Sequence, residues 1–504
     1  MGFSSGTDLW SCQHFPFHIA GAWTDPVGQD RRAVHAPANG EARWSVPEGE
    51  PEDVNRAVSA ASAAAQGWAA TDPDERARLL RALATLLRER MAELAELESA
   101  ITGRPIREMR AQMARIPEWL DYFAGILLGL EGSSNQVKGG FLTWTRYRPY
   151  GVCALLTPWN HPVLILVKKL AAALAAGNTV VVKPSELAPV TPLLLSAWAA
   201  EVGFPAGVIN VVTGGAVAGE ALVAHPDVAH IDLTGGTATG RRVAAAAAAR
   251  LVPCTLELGG KTPVIICDSA NLDEAVAGTL FAAFVAAGQT CVSGSRILVQ
   301  RGIYDAFCAK LAARVDALIQ GDPADPATDI GPVISATSRE RCLAHIERAA
   351  AEGAKLIAGG CARTLARDLA EGYFVPPTVF ADVTPAMTLF SEEVFGPVIS
   401  VTPFDTEDEA VALANDGAFA LGASVWSRDI LVAHRVVARL RAGVVWINDH
   451  HKNDPRSIWG GSGDSGYGHE NGWDALKSYL IKGSVTLRTA EEFSDWFAGG
   501  KRYG

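Results

Sequence analysis

Apolar residues recur every three or four positions through residues 52–129, in the runs DVNRAVSAASAAAQGWAA, DERARLLRALATLLRERMAELAELESAITG and MRAQMARIPEWLDYFAGILLGL. That spacing puts them on one face of a helix, so amphipathic helices packed on a larger body are predicted. At residues 140–156, GFLTWTRYRPYGVCALL, the period changes to the alternation of a strand or hairpin. Beyond it the β-rich runs VCALL, NTVVVKP, GVINVVTG and VAHIDLTGG are each separated by an Ala/Leu-rich helical stretch, the βαβ pattern of a parallel sheet. A second α/β series begins at CTLELGGKTPVIICDSA, residue 254, with helices predicted near 272–288 and 303–319 and strands near 296–299, 398–401 and 443–447. No Ser/Gly/Pro-rich linker divides the two series, so the boundary is read as a change of sheet close to Leu258–Thr262. No internal repeat is present, and the alanine run 244–249 reads as ordinary helix.

A chain of 504 residues exceeds one hydrophobic core, so two or more domains are expected. With 49% hydrophobic and 20% charged residues it belongs with globular proteins, and a net charge of -11 argues against nucleic acid or an anionic membrane as partner. No apolar run reaches the roughly 18 residues of a membrane span, and the N-terminus MGFSSGTDLWSCQHF has no signal pattern. The eight cysteines form no CxxC pair, so neither a disulfide framework nor a metal site is expected, and a cytoplasmic protein with reduced thiols is the reading.

Among the thiols, Cys291 stands out: FAAFVAAGQTCVSGSR places it in a small-residue turn behind an apolar helical run. An accessible cysteine there can attack an electrophilic carbonyl, whereas a lone cysteine is more often a buried, inert side chain. By themselves, Glu257 reads as a strand-end carboxylate and Asn160 as a turn residue.

The motifs around these residues change that balance. LLTPWNHP (155–162), LELGGKTP (256–263) and GQTCVSGSR (288–296) resemble the asparagine, glutamate and cysteine motifs of the aldehyde dehydrogenase superfamily. KPSE (183–186), LTGGTATG (233–240) and EEVFGPV (392–398) match further motifs in the same order, and the resemblance runs from Phe15 to Leu487. It implies an α/β fold of two parallel-sheet domains, a Rossmann-like cofactor domain and a catalytic domain, plus a small β oligomerisation element. The implied division is 1–139 and 151–257 for NAD binding, 258–447 for catalysis, 140–150 and 475–490 for oligomerisation, 448–474 for a substrate-tunnel loop and closing segment, and 491–504 as a tail. A homodimer or homotetramer follows.

The resemblance also assigns roles. Cys291 is the nucleophile, Asn160 with the Cys291 backbone N–H the oxyanion donor, and Glu257 the base that activates water. Members that pass the acyl group to coenzyme A generally lack that base, so hydrolysis to the free acid is expected. NAD rather than NADP is the expected cofactor, because Glu186 would accept from the ribose hydroxyls and repel a 2′-phosphate. Its implied site comprises Thr157, Pro158, Trp159, Lys183, Ser185, Glu186, Gly215, Thr234, Gly235, Gly236, Leu258, Glu393 and Phe395. Gly236 stands where many relatives have Ser.

Departures from the family pattern bear on the aldehyde. His161 replaces a usual Phe or Tyr, and Lys168 occupies a position where many relatives place Trp and where succinic semialdehyde oxidisers place a basic residue. With Arg115, Thr290, His451, Asn453 and Trp459 these residues make the expected tunnel lining. Three or four potential cations there imply an anionic aldehyde, a carboxylate semialdehyde or phosphono-aldehyde, while the alternative is a neutral aldehyde, aromatic, for which Trp459 keeps a wall, or aliphatic. The other alternative is a catalytically silent binding or structural protein, against which the intact Cys291, Asn160 and Glu257 speak.

Overall fold

The structure, a computed structural model, describes residues 12–361, 365–491 and 493–500. Residues 1–11 of the expected cofactor domain, and residues 492 and 501–504 of the expected tail, lie outside the described residues.

The predicted helical stretch opens on Pro51–Ala70, and then each long run splits in two. Pro73–Glu89 starts where Asp72 accepts the Asp74 N–H at 2.9 Å, and buries Leu79, Leu80, Leu83 and Leu87 on one stripe. Met91–Thr102 follows a break at Arg90 and ends on Gly103 in the left-handed region. Ile106–Met113 is separated from Pro117–Leu127 because proline suits a first helical turn and not an interior.

Two sheets carry the rest. The first has eight strands in the order Gly466–Tyr467, Cys254–Glu257, Val228–Thr234, Val152–Thr157, Thr179–Pro184, Ile209–Val211, Phe17–Ile19 and Ala22–Thr24. Its centre is parallel, but both edges are antiparallel additions, from the N-terminal hairpin and from the Gly-rich segment near the C-terminus. The second has seven strands in the order Lys355–Ala358, Thr378–Ala381, Val398–Phe404, Arg296–Gln300, Pro263–Ile266, Gly422–Trp426 and Val444–Ile447. The chain passes from one sheet to the other between Glu257 and Pro263. A third sheet pairs Leu480–Arg488 with Phe141–Pro149 and that strand with Ser134–Val137. The last strand, SNQV, carries no apolar alternation and has no sequence signal, and it draws residues 134–137 away from the first sheet. Residues 475–478 are helical, within Gly472–Ser478, and do not extend the strand.

No described helix is long and apolar enough to cross a membrane. Among the described residues, no group of three His, Cys, Asp or Glu side chains could hold a metal ion.

Helix Pro162–Ala175 fixes the site, because nearly every residue in it is buried, Lys168 and Lys169 included. Its first turn is held by a buried carboxyl group: Glu98 Oε1 accepts the Val163 N–H at 2.9 Å and the Thr191 hydroxyl at 3.0 Å. Burial pushes Glu98 up to about 7. A folded-state pKa above the unfolded one means the stabilisation is complete below about pH 4 and is lost as pH rises through 7. Glu98→Gln keeps the acceptor without the charge, so its melting temperature should overtake that of the wild type between pH 5 and 8, by up to roughly 3 kcal/mol of stability. Parallel thermal melts across that range check this, and coincident curves would refute it.

Candidate active site

One cavity of about 270 Å³ is lined by Cys291 and Glu257 together with Arg115, His161, Lys168, Thr290, His451, Asn453 and Trp459. Residues as far apart in sequence as Arg104 and Glu470 thus border a single space.

Cys291 is brought there by a strained turn. The helix predicted to 288 stops at Phe284, and a single 3₁₀ turn, Val285–Gly288, carries Ala286 and Ala287 at φ 54° and 52°. Left-handed alanines cost on the order of 1 kcal/mol each, and Glu108 helps to hold the first by accepting the Ala286 N–H at 3.1 Å. The glutamate motif then packs directly on the cysteine: a Cβ on Gly260 would lie 2.2 Å from the Cys291 carbonyl oxygen, so only glycine fits. Asn160 is buried, and its Nδ2 donates one hydrogen to Gln289 O at 2.8 Å, which leaves the other free beside the cysteine turn. Both Glu257 carboxyl oxygens are buried without a hydrogen-bond partner among the described residues. Burial, and then the negative charge of Glu470, raise its pKa well above the usual carboxylate range, so it is held protonated. Burial and Glu257 likewise push the Cys291 thiol up to about 12.

The charged lining differs from the sequence expectation. Lys168 is not a free cation: its Nζ pairs with Glu470 Oε2 at 2.5 Å and lies 4.8 Å from the centroid of the Trp459 ring. Glu470 accepts from Lys169 as well, at 2.6 Å, and Lys169 also reaches Asp232 at 2.5 Å, which accepts from the Tyr479 hydroxyl. Burial works to raise Glu470, but the two lysines outweigh it and take it down to about 2. His161 and His451 are pushed well below 6.5 by burial and then by Arg104 and His450 respectively, so both are neutral. Arg115 pairs with Glu118 at 2.9 Å at the half-exposed rim. Thr290 bonds His451 at 3.0 Å, and Asn453 accepts from Asn471 at 3.0 Å.

Sequence reasoning missed Arg104, Glu108, Gln112 and Glu470 in this lining. Arg104 sits on the Gly-Arg-Pro loop after a helix, 56 residues before Asn160, where no pattern marks it as facing a cavity. Thr234, read with the cofactor residues, lines the same cavity as Cys291, with its hydroxyl 3.5 Å from Glu470, because it is the last residue of its strand.

The remaining residues expected to hold the cofactor come from strand ends and turns of the first sheet and, for Glu393 and Phe395, from the second sheet's segment before Val398. Gly235 donates to Glu257 O at 3.0 Å, and Gly236 caps helix Thr237–Ala249 with open space where a side chain would stand. Lys183 Nζ is 3.5 Å from Glu186, a carboxylate 37% exposed and so open to a ligand, and Ser185 N donates to Thr157 O at 2.8 Å. Thr157 Oγ1 is buried without a partner. Gly215 N donates to Glu48 at 2.7 Å, which is paired in turn with Arg32, so the hairpin Arg31–His35 and Ala42–Pro47 borders this face, unmarked in the sequence. Leu258 N bonds Ser465 O at 3.1 Å. Glu393 Oε1 accepts from Gly260 N at 2.8 Å, and Phe395 packs edge-on to Trp159, which follows Pro158, at 5.4 Å. An exposed carboxylate, an open helix N-terminus and an unpaired hydroxyl are what a dinucleotide's ribose and pyrophosphate need.

With the thiol near 12, alkylation of Cys291 by iodoacetamide should quicken about tenfold per pH unit from 7 to 10 without a plateau. Lys168→Met removes a charge that lowers the thiol pKa and should slow the reaction at every pH in that range. Timed peptide mapping reads both, and a plateau below pH 8 would contradict the burial argument.

The profile of the aldehyde dehydrogenase family matches residues 23–485. A betaine aldehyde dehydrogenase from Rhizobium etli (strain CIAT 652) is 45% identical over 445 residues, 88% of this chain and 91% of that protein. The crystal structure of betaine aldehyde dehydrogenase from Staphylococcus aureus in complex with NAD+ superposes with a TM-score of 0.94 at 37% identity, covering 97% of this chain and 98% of that one. PnpE in complex with nicotinamide adenine dinucleotide gives 0.94 at 40% identity, covering 96% and 99%. With its cysteine, glutamate and asparagine motifs gathered around one cavity and its length matched almost end to end, this chain belongs to the aldehyde dehydrogenase family.

Proposed function

We propose that this protein oxidises an aldehyde to its carboxylic acid with NAD as hydride acceptor, and that the aldehyde carries a carboxylate or similar anion at its far end. In this reading Cys291 attacks the aldehyde carbon as thiolate, forming a thiohemiacetal. The free Asn160 amide hydrogen and the Cys291 backbone N–H stabilise the oxyanion. Bound NAD supplies the acceptor for the hydride that leaves this adduct. Glu257, once it has released its own proton to solvent, takes a proton from water, which hydrolyses the resulting thioester, and its two unpartnered oxygens leave room for that water. Thr157, Gly235, Gly236, Lys183, Glu186 and Glu393 would hold the dinucleotide. Glu186, free to accept from ribose hydroxyls, favours NAD over NADP. The small three-stranded sheet, with Val137, Phe141, Trp144 and Leu487 exposed, is the proposed contact of a homodimer or homotetramer.

The charge of the lining carries the substrate class. Arg104, Arg115 and Lys168 all line the cavity, paired with Glu108, Glu118 and Glu470 respectively, and Arg104 keeps a nitrogen, Nη2, with no partner among the described residues, which supports an anionic substrate. The Rhizobium and Staphylococcus relatives are named for betaine aldehyde, a trimethylammonium compound, and such cations are gripped by aromatic faces. Here the Trp459 face is covered by the ammonium of Lys168. Trp119 and Phe281 also line the cavity, which keeps a neutral aromatic aldehyde as the second reading.

Two outcomes are expected. Glu257→Gln should release about one NADH per site in a burst and then turn over at least about 100-fold more slowly than wild type, as stopped-flow absorbance reads. A carboxy-aldehyde should exceed its methyl ester in kcat/KM, and betaine aldehyde should be poorest. Lys168→Trp, which removes the resident ammonium, should move that ranking towards betaine aldehyde. Steady-state assays that rank betaine aldehyde first for the wild type would overturn the anionic reading.

A further inference from the structure

The sequence points to Lys168 as the group that would hold a distal anion, but that ammonium is committed to Glu470. Another cation in the cavity retains free donors. Arg104 lines it with a side chain only 5% exposed. Its Nε donates to Glu108 at 3.2 Å, and its Nη1 donates to Gln112 Oε1 at 2.8 Å and reaches Asn160 O at 3.4 Å. Nη1 also lies 2.8 Å from His161 Nδ1. Nη2 has no partner among the described residues. His161 Nδ1 lies between that guanidinium and Gln112 Oε1, an acceptor 2.6 Å away, so Arg104, Gln112 and the neutral imidazole form one packed cluster. His161 Nε2 also has no partner among the described residues.

We infer that Arg104 is the specificity-determining residue of the tunnel, its Nη2 holding the distal carboxylate of the aldehyde. The inference rests on the anionic-substrate reading. A guanidinium whose Nε and Nη1 are held by Glu108, Gln112, Asn160 O and His161 is oriented before substrate arrives, so little rotamer freedom is lost on binding. Lys168 then serves to hold Glu470 and to cover Trp459.

The test compares succinic and adipic semialdehydes with their methyl esters. Removing Arg104 alone would strand Glu108, so Arg104→Met is made in a Glu108→Gln background and measured against Glu108→Gln alone. The ratio of kcat/KM for acid over ester should fall roughly 10- to 100-fold, mostly through KM. Arg104→Lys, which keeps the charge and the pair with Glu108, should lose part of the same ratio, and His161→Phe should lose less than Arg104→Met. Melting temperatures identify any variant that fails to fold, in which case Arg104→Lys decides. A wild type that prefers the acid, with the preference intact in both Arg104 variants, overturns the assignment to Arg104 alone. A wild type indifferent to the charge removes the anionic reading and this inference together.

Discussion

Glu470 is a carboxylate taken out of water and held between two lysines that neighbour each other on one helix. Desolvating three charges costs several kcal/mol per ion, and only close, fully hydrogen-bonded geometry offsets it. That geometry is present: Lys168 and Lys169 close on separate oxygens of Glu470, Lys169 continues to Asp232, and Tyr479 completes the acceptor set of Asp232. The cluster ties the helix after Asn160, the strand Val228–Thr234 and the Gly-rich segment near the C-terminus into one body. Losing one partner would leave a buried charge unpaired, which gives the arrangement its strictness.

The same cluster sets the electrostatics of the reacting groups. Glu470, kept ionised by its lysines, is the charge that adds to burial in raising Glu257. Glu257 in turn raises Cys291, while Lys168 pulls the thiol down. Nucleophile and base therefore stand under opposing influences from groups that never touch them. Among the described residues the Glu257 carboxyl oxygens have no hydrogen-bond partner, and burial leaves the Cys291 thiol near 12. Backbone close to the cysteine adds to this through Gly260, whose missing side chain lets the glutamate segment lie on the cysteine turn.

Much of the molecule was legible in the chain. The parallel strands announce themselves as short β-rich runs between Ala/Leu-rich helices, because strands buried on both faces must be apolar throughout. Cys291, Glu257 and Asn160 sit in motifs whose spacing is local, and the cavity does bring Cys291 and Glu257 together beside Asn160. The polar strand Ser134–Val137 and the antiparallel edge Gly466–Tyr467 were not legible, since each exists only because a neighbouring strand offers it an edge. Nor was the end of helix Leu272–Phe284 at the left-handed Ala286 and Ala287, because alanine prefers the helix and the turn is held from outside by Glu108.

Charge shows the division most clearly. The resemblance of local motifs implies that Lys168, Arg115, His161 and His451 line one tunnel, because residue type and motif position are local properties, and they do line one cavity. Whether each is charged, paired or available is not local. Lys168 meets Glu470, 302 residues later, burial discharges the two histidines, and Arg104 enters from a loop with no motif. A side chain's ionisation and free hydrogen-bonding capacity depend on what surrounds it in space, and only the folded chain decides that.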